Sequence, residues 1–268
     1  MKRRDFLTTS AAAGLTLAAG SVAHAAAATS NKELLELRLY KFGSPAKQQA
    51  FDSFLGRIAI PALNRAGVQP VGVFKLLKAD NADLKLESDS ADLYILLPHK
   101  SMDSVVNMID RLTEDSTFIN NAGELVEAPK SDPAYTRFES SLFLAFDDAP
   151  KVEVPSKSAS RLMQLRIYES HNEERALKKI EMFNTGGEIA IFRRTGLPIV
   201  FFGQAIVGSK LPNLTYMLSF ENEEAMKKGW ANFGQDPAWK ALRDDPQYKD
   251  TVSTITNLVL RPASSSQV

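Results

Sequence analysis

Cysteine is absent from the 268 residues of this chain, and histidine occurs only three times. A chain without cysteine has no disulfide, no thiolate nucleophile, no cysteine-ligated zinc or iron–sulfur site and no lipidated-cysteine anchor. The charges balance at 32 basic against 32 acidic residues, so the basic excess that favours nucleic acid or anionic membranes is missing. We therefore expect neither a metal site nor a nucleic-acid partner.

Long apolar runs and the common cofactor motifs are also missing. The first apolar stretch, residues 8–19, is mostly Ala, Thr and Gly and falls short of the ~20 residues that a membrane helix needs. No G-x-G-x-x-G, P-loop, G-x-S-x-G or H-E-x-x-H sequence is present, so nucleotide-binding and hydrolase functions lack their usual support. What remains is an ordinary globular composition, 44% hydrophobic and 24% charged, with no stable membrane span.

The first 28 residues are typical of an export signal. Lys2-Arg3-Arg4 and Phe6-Leu7 precede the Ala-rich stretch, and Ala23-His24-Ala25 follows it. A basic start, an apolar middle and small residues two apart define a cleavable signal, although a disordered tail or an amphipathic helix is the alternative. The paired arginines resemble the twin-arginine signal, whose substrates cross the membrane folded. We predict the twin-arginine export machinery as a partner, cleavage near Ala25, and a periplasmic or otherwise exported protein.

The rest of the chain contains a repeat of about 125 residues. The matching segments keep the same order in both halves: Glu36–Tyr40 with Gln164–Tyr168, Ile58–Gly67 with Ile189–Gly196, Tyr94–Leu96 with Tyr216–Leu218, and Asp115–Phe118 with Asp236–Trp239. Two unrelated halves with a similar strand pattern are the alternative. We predict a first repeat over 33–146, a Pro/Ser-rich linker over 147–160, a second repeat over 161–262, and a disordered tail over 263–268.

Each half has the element order strand, helix, strand, strand, helix, strand. The predicted strands are Leu34–Tyr40, Val71–Leu77, Leu93–Leu97, Arg137–Phe146, Leu162–Tyr168, Ile199–Val207, Leu214–Phe220 and Thr251–Leu260. Ser44-Pro45 starts the first helix, and a second helix after Ser101 is expected to bury Met102, Val105, Val106, Ile109 and Leu112 on one side. Gly186-Gly187 is expected to break the first helix of the second half.

This β-α-β-β-α-β order predicts an α+β fold of two tandem ferredoxin-like units with antiparallel sheets. Each sheet has one face under its helices and needs a cover for the other face. The second copy in the same chain supplies that cover if the two sheets pack or curl into one barrel with the helices outside.

The residues that carry a family resemblance are Glu36-Leu37-Arg38 with Tyr40, and Tyr216–Phe220, Trp230–Phe233 and Asp236–Leu242 in the second half. Together they resemble the NIPSNAP family of the dimeric α+β barrel superfamily. The first half departs from the pattern, because Ser104–Leu112 lacks the tryptophan and Asp115–Phe118 lacks the proline and tryptophan. The resemblance implies the fold and leaves the function open, since the superfamily also includes haem-degrading and polyketide-modifying monooxygenases and chlorite dismutases.

The candidate ligand-binding residues alternate with leucines on the opening strand of each half. If the leucines lie under the helices, the other face points into the barrel and places there Glu36, Arg38, Tyr40, Gln164, Arg166 and Tyr168, with Tyr94 and Tyr216 as neighbours. Two guanidinium groups in a partly apolar cavity favour an anionic or carbonyl-bearing ligand. The alternative is that each arginine pairs with an acidic neighbour and closes the core.

His99 and His171 are weak candidates for a general base or an axial haem ligand, because neither lies in a ligand-spacing motif. No cofactor is evident, and haem is implied by superfamily analogy alone. Trp230, Phe233, Trp239 and Leu242 are expected to pack under the sheet and not to stack on a cofactor.

Three functions remain open: binding of a small ligand in the barrel cavity, a monooxygenase-like reaction on a haem or polycyclic substrate, and a structural or partner-binding role with a solid core. The sequence assigns no catalytic residue, leaves open whether the protein is an enzyme, and leaves open whether two chains pair further.

Overall fold

A computed structural model describes residues 31–268, whose eight strands close into one antiparallel barrel. The strands are β1 (Leu34–Lys41), β2 (Gly72–Leu76), β3 (Leu93–His99), β4 (Arg137–Ala145), β5 (Leu162–Glu169), β6 (Ile199–Val207), β7 (Asn213–Phe220) and β8 (Thr254–Pro262). All eight predicted strands are present. The predicted export signal, residues 1–28, lies outside the described residues.

The barrel consists of two four-stranded sheets with the same strand order. The first half contributes β4-β1-β3-β2, and the second contributes β8-β5-β7-β6. Antiparallel pairing of β2 with β8 and of β4 with β6 joins the two sheets. Each sheet is the ferredoxin-like arrangement, so the predicted α+β fold of two fused units is confirmed.

The helices form an outer layer on the sheets. They are α1 (Pro45–Phe54), α2 (Ile60–Arg65), α3 (Met102–Val106), α4 (Met108–Glu114), α5 (Ser116–Val126), α6 (Glu173–Phe183), α7 (Glu188–Thr195), α8 (Glu223–Gln235) and α9 (Pro237–Arg243). A π-helical turn, Leu55–Ala59, joins α1 to α2, and short 3-10 turns cover Lys78–Asp80, Ala82–Leu84 and Pro246–Tyr248. None of the helices in residues 31–268 is long and apolar enough to cross a membrane.

The helix predicted after Ser101 buries different residues from those expected. Met102, Val106 and Ile109 are 50%, 69% and 56% exposed. The helix breaks at Asn107 between α3 and α4, and Ser104, before the break, is already on the buried side. Leu112 is buried as predicted, but Met108, which was not predicted, enters the core beside it, so the predicted buried face is wrong for its first two turns.

The repeat is visible in how the helices end. Gly67 and Gly196 follow the first helical segment of each half, and both have φ +87°, a conformation that glycine adopts at little cost. Gly187 also has a positive φ, and the helix is broken there between α6 and α7 as predicted.

Ion pairs repeat in the same way. Arg65 contacts Asp115 at 2.7 Å, and Arg194 contacts Asp236 at 2.7 Å. In both halves the aspartate is also the N-cap of the last helix, so one carboxylate fixes the start of that helix against the end of the first.

Three apolar clusters form the core. One fills the barrel interior and includes Leu35, Phe74, Phe143, Leu165 and Met217. The other two lie between a sheet and its helices, one in each half. The predicted packing of Trp230, Phe233, Trp239 and Leu242 under the second sheet is confirmed.

The segments predicted as linker and tail are both packed. In residues 147–160, Ala149 is fully buried and Val152 and Val154 pack on the interior cluster. The predicted disordered tail, 263–268, is wrong. The backbone N–H of Gln267 donates to the Val71 carbonyl oxygen at 2.9 Å, and Val268 is 1% exposed within the interior cluster. Apolar contact and unused hydrogen-bonding groups along β2 hold a segment whose composition favours disorder.

Candidate functional site

The polar residues of the two opening strands face the helices and not the barrel interior. Leu35 and Leu165 occupy the interior cluster, so the alternate residues turn outward toward the helical layer. The predicted interior position is therefore wrong for the seven residues Glu36, Arg38, Tyr40, Gln164, Arg166, Tyr168 and Tyr216. The interior of the closed barrel is filled by apolar side chains. The polar face of the opening strands instead contacts the helical layer, where for example Trp230 hydrogen-bonds to Gln164.

In the first half these residues form a buried polar cluster. The Arg38 guanidinium donates to Glu36 through Nε at 2.7 Å and Nη2 at 3.0 Å. The Ser140 hydroxyl donates to Glu36 Oε1 at 2.6 Å. Only 7% of the Glu36 side chain and 13% of the Arg38 side chain are exposed. The alternative in which an arginine pairs with its acidic neighbour is thus realised at Arg38.

His99 belongs to the same cluster, although a lone histidine at a strand end is usually a surface residue. It is fully buried, and its Nδ1 lies 3.0 Å from the Ser104 hydroxyl. Its Nε2 makes no hydrogen bond of good geometry and has Glu36 Oε2 at 3.4 Å. Burial alone would raise the pKa of Glu36, but the contact with His99 and the hydrogen bonds from Arg38 and Ser140 lower that pKa to about 2.

A cavity of about 120 Å³ lies between the first sheet and its helices. Arg38 and Tyr40 are its polar lining residues, with Arg38 Nη1 3.4 Å from the Tyr40 hydroxyl. The other lining residues are apolar: Phe51, Phe54, Leu55, Ala59, Leu63, Ile95, Leu97, Met108, Ile109, Leu112 and Phe118. This size suits a molecule of about one ring. Sequence reasoning placed Arg38 and Tyr40 near a ligand but missed these walls, which come from segments that meet only in the fold.

The matching arginine of the second half has a different environment. The residue two before it is Gln164, whose side chain donates to Asn257 Oδ1 at 2.8 Å and accepts from Trp230 Nε1 at 2.7 Å. The Arg166 guanidinium lies over Trp230 at 4.8 Å and over Tyr168 at 5.3 Å, measured to the ring centroids. Its Nε is buried without a hydrogen-bond partner.

Next to Arg166 lies a buried ion pair that sequence reasoning missed. Lys179 Nζ is 2.7 Å from Glu188 Oε2, with 6% and 3% of the side chains exposed. Burial raises the pKa of Glu188, and Lys179 opposes the shift. The hydroxyls of Tyr168 and Tyr216 are 3.0 Å apart, and burial raises the pKa of both phenols. Both tyrosines are therefore neutral at physiological pH.

The remaining candidates lie apart from these groups. Tyr94 packs on the interior cluster, where burial, with Asp92 and Glu139 nearby, raises its pKa to about 12. His171 is exposed in the turn before α6. Haem does not fit these residues, because neither histidine lines the cavity and about 120 Å³ is too small for a porphyrin. In residues 31–268 no cluster of His, Asp or Glu is arranged to hold a metal ion.

Comparison with known proteins finds a family match in the second half of the chain. Residues 163–267 match the NIPSNAP family model. An uncharacterised NIPSNAP-like domain protein from Burkholderia xenovorans is 22% identical, over 41% of this chain and 91% of its own, with a TM-score of 0.37. No curated protein matches the sequence significantly.

Two solved structures are similar to this chain over most of its length. A provisionally named monooxygenase from Fusobacterium nucleatum has a TM-score of 0.56 at 10% identity, covering 87% of this chain and 93% of its own. Another, from Lactobacillus acidophilus, has a TM-score of 0.53 at 12% identity, covering 87% and 95%. At these identities the likeness concerns the fold alone.

Proposed function

We propose that this chain, whose residues 163–267 match the NIPSNAP family model, binds a small, largely apolar, carbonyl-bearing molecule in the first-half cavity. The observation that carries the proposal is the cavity of about 120 Å³ with apolar walls and two hydrogen-bond donors, Arg38 and Tyr40. An apolar pocket with a few convergent polar groups is the usual form of a small-molecule site.

The charge state of Arg38 favours a neutral ligand over an anion. Its guanidinium is already paired with the Glu36 carboxylate, so the pair adds little net charge to the cavity. The Nη1 group, 3.4 Å from the Tyr40 hydroxyl, can donate to a carbonyl oxygen. A ligand carboxylate would instead have to compete with Glu36.

Acetophenone, a one-ring ketone, tests the proposal against ethylbenzene, which lacks the carbonyl. We expect calorimetric titration to show saturable acetophenone binding that is about tenfold tighter than ethylbenzene binding, the effect of one hydrogen bond in an apolar site. Ala59→Leu narrows the cavity and is expected to weaken acetophenone by about tenfold or more while the thermal midpoint is kept.

Val106→Leu is the matched control, since Val106 is 69% exposed and lies on the same helical layer. This variant should bind like the parent protein. If neither compound binds, or if Ala59→Leu and the parent bind acetophenone equally, the cavity is not a ligand site. Mass spectrometry of protein purified under native conditions would identify what occupies it in the cell.

We also propose export of the protein by the twin-arginine route, supported by Arg3-Arg4, the Ala-rich stretch and Ala23-His24-Ala25. Changing both arginines to lysine should retain a full-length precursor inside the cell, whereas Lys2→Gln should not. Cell fractionation with an antibody against the protein measures this. Normal processing of the double-lysine variant would contradict the proposal.

A further inference from the structure

Arg38 and Arg166 occupy equivalent positions in the two halves but have different hydrogen-bond partners. Glu36 stands two residues before Arg38 and neutralises it through two hydrogen bonds. Gln164 stands in the same position before Arg166 and is committed to Asn257 and Trp230. Within residues 31–268 the buried Nε of Arg166 has no acceptor, and the carboxylate that its charge acts on, Glu188, is hydrogen-bonded to Lys179. A desolvated donor of this kind costs free energy unless an acceptor reaches it.

Aromatic rings hold the guanidinium in place. Trp230 and Tyr168 present their faces to it at 4.8 and 5.3 Å. The Trp230 indole is itself fixed by its hydrogen bond to Gln164 at 2.7 Å. The aromatic rings stack on the face of the guanidinium. The N–H groups along its edge lie in one plane and can still donate two parallel hydrogen bonds to a ligand. The arginine is thus oriented without its donors being consumed.

The neighbouring charges leave one positive charge uncompensated. Lys179 and Glu188 neutralise each other at 2.7 Å, and Tyr168 and Tyr216 are neutral phenols. The Arg166 charge also lowers the pKa of Glu188, but that carboxylate is already paired with Lys179, so the three groups together carry one net positive charge. A single planar cation beside aromatic surface matches a monovalent carboxylate on an apolar body, because the carboxylate accepts two parallel hydrogen bonds.

We propose that Arg166, oriented by Tyr168 and Trp230, is a binding site for the carboxylate of a small organic acid. The site lies in the second half, between its sheet and α8, and is separate from the cavity at Arg38. Its occupant has the opposite charge requirement from the neutral ligand proposed for the first half. Either site can fail without the other.

The two tryptophans of the protein provide the readout, because both Trp230 and Trp239 lie in the second half and Trp230 stacks on Arg166. We expect cyclohexanecarboxylate to change the tryptophan emission saturably. The neutral isostere cyclohexanecarboxamide should produce no saturable change. Inorganic phosphate and chloride at the same concentrations should be at least about tenfold weaker.

Two variants decide whether Arg166 is responsible. Gln164→Glu gives the second half the counter-charge that the first half has, while the new carboxylate still accepts from Trp230. It should weaken cyclohexanecarboxylate by about tenfold or more. Arg166→Met removes the fork and should abolish the saturable change. Lys227→Met is the matched control, because it removes an exposed positive charge from the same helix as Trp230, and its titration should equal that of the parent.

The proposal is overturned if cyclohexanecarboxylate produces no saturable change, or if the carboxamide acts equally well. It is also overturned if Arg166→Met titrates like the parent. Equal displacement by phosphate or chloride would show a general anion site instead of a carboxylate site. Circular dichroism establishes that each variant is folded, and if Gln164→Glu does not fold, Arg166→Met alone decides.

Discussion

Arg38 and Arg166 occupy matching positions in the repeat, and the residue two before each one decides what the arginine can do. Side chains two apart on a strand lie on the same face, so the Glu36 carboxylate reaches Arg38 and the Gln164 amide lies beside Arg166. One half gains a closed ion pair, and the other keeps an unpaired cation. We propose that this difference separates a neutral-ligand cavity at Arg38 from a carboxylate site at Arg166.

The Glu36 ion pair should make stability depend on acid. The ordinary pKa of 4.5 falls to about 2 in the folded protein, so the stabilisation is complete above pH 4.5 and disappears as pH falls through about 2. The difference amounts to about 3 kcal/mol at neutral pH. We expect Glu36→Gln to lower the free energy of unfolding by about that amount at pH 7, and the deficit to vanish near pH 2. Urea unfolding monitored by circular dichroism across this range measures it.

Glu139→Gln is the control for this prediction. Glu139 lies on the neighbouring strand β4, and 59% of its side chain is exposed. This variant should keep the acid dependence of the parent. A constant deficit for Glu36→Gln from pH 7 to pH 2 would show that packing, and not the carboxylate charge, is responsible.

At the scale of elements, hydrophobic alternation identified the strands but not the direction in which each face points. Leu35 and Glu36 lie on opposite faces of β1 in any fold, and the sequence pattern is the same whether the leucines meet helices or a closed barrel. The alternation therefore predicts the positions of β1 and β5 correctly, but it does not show that their leucines face the barrel interior. The barrel interior is filled by residues far apart in sequence, such as Phe74 and Val268. A local sequence pattern cannot predict which of these distant residues pack together.

The break within the second helix of the first half was missed for a related reason. Ser101 and the spacing of Met102, Val106 and Ile109 fit one continuous amphipathic helix. In the structure the helix breaks at Asn107, and Ser104 and Met108 are the buried residues. By contrast, Gly186-Gly187 correctly predicts the break between α6 and α7, because glycine destabilises a helix locally and does so independently of tertiary packing. Here the glycine pair predicted a helix break correctly, whereas the spacing of apolar side chains did not predict which helix face is buried.

The ion pair of Lys179 and Glu188 joins α6 to α7 across that break. Lys179→Met leaves Glu188 buried and unpaired, and we expect it to lower the free energy of unfolding by about 3 kcal/mol. Adding Glu188→Leu should recover about half of the loss or more, since two apolar side chains can replace a buried pair. Chemical unfolding of both variants measures the coupling, and a double variant as unstable as the sum of the single changes would contradict it.

The pH dependence of Lys179→Met gives a second check on the same pair. Burial holds the pKa of Glu188 above the ordinary 4.5 even with Lys179 present. Without Lys179 only the charge of Arg166 opposes burial, so the pKa stays raised. A carboxyl with a raised pKa favours the folded state at low pH, and that contribution is lost as pH rises through the folded pKa. The deficit of the single variant should thus be smaller at pH 5 than at pH 8, while the double variant should show no such trend.

At the scale of the whole molecule, the strand pairs that join the two halves could also form between two copies of one half. Strand β2 corresponds to β6 and β4 to β8, so the joints β2 with β8 and β4 with β6 are equivalent by the repeat. The interior residues from the second half, including Met163, Leu165 and Met217, are apolar and would face water in an isolated half. A single half is therefore an incomplete barrel with two unpaired edge strands.

We expect residues 159–268 expressed alone to form a homodimer in which β6 of each copy pairs with β8 of the other and closes an eight-stranded barrel. Size-exclusion chromatography with light scattering should report twice the mass of the fragment, and circular dichroism should show folded protein. Met163→Glu places a charge in the shared interior, where Met163 is fully buried, and should prevent assembly because an isolated buried carboxylate is costly. A folded monomer of the unmodified fragment would contradict this prediction. It would show that one half does not pair with its own copy, and that the barrel closes only because the two different halves are in one chain.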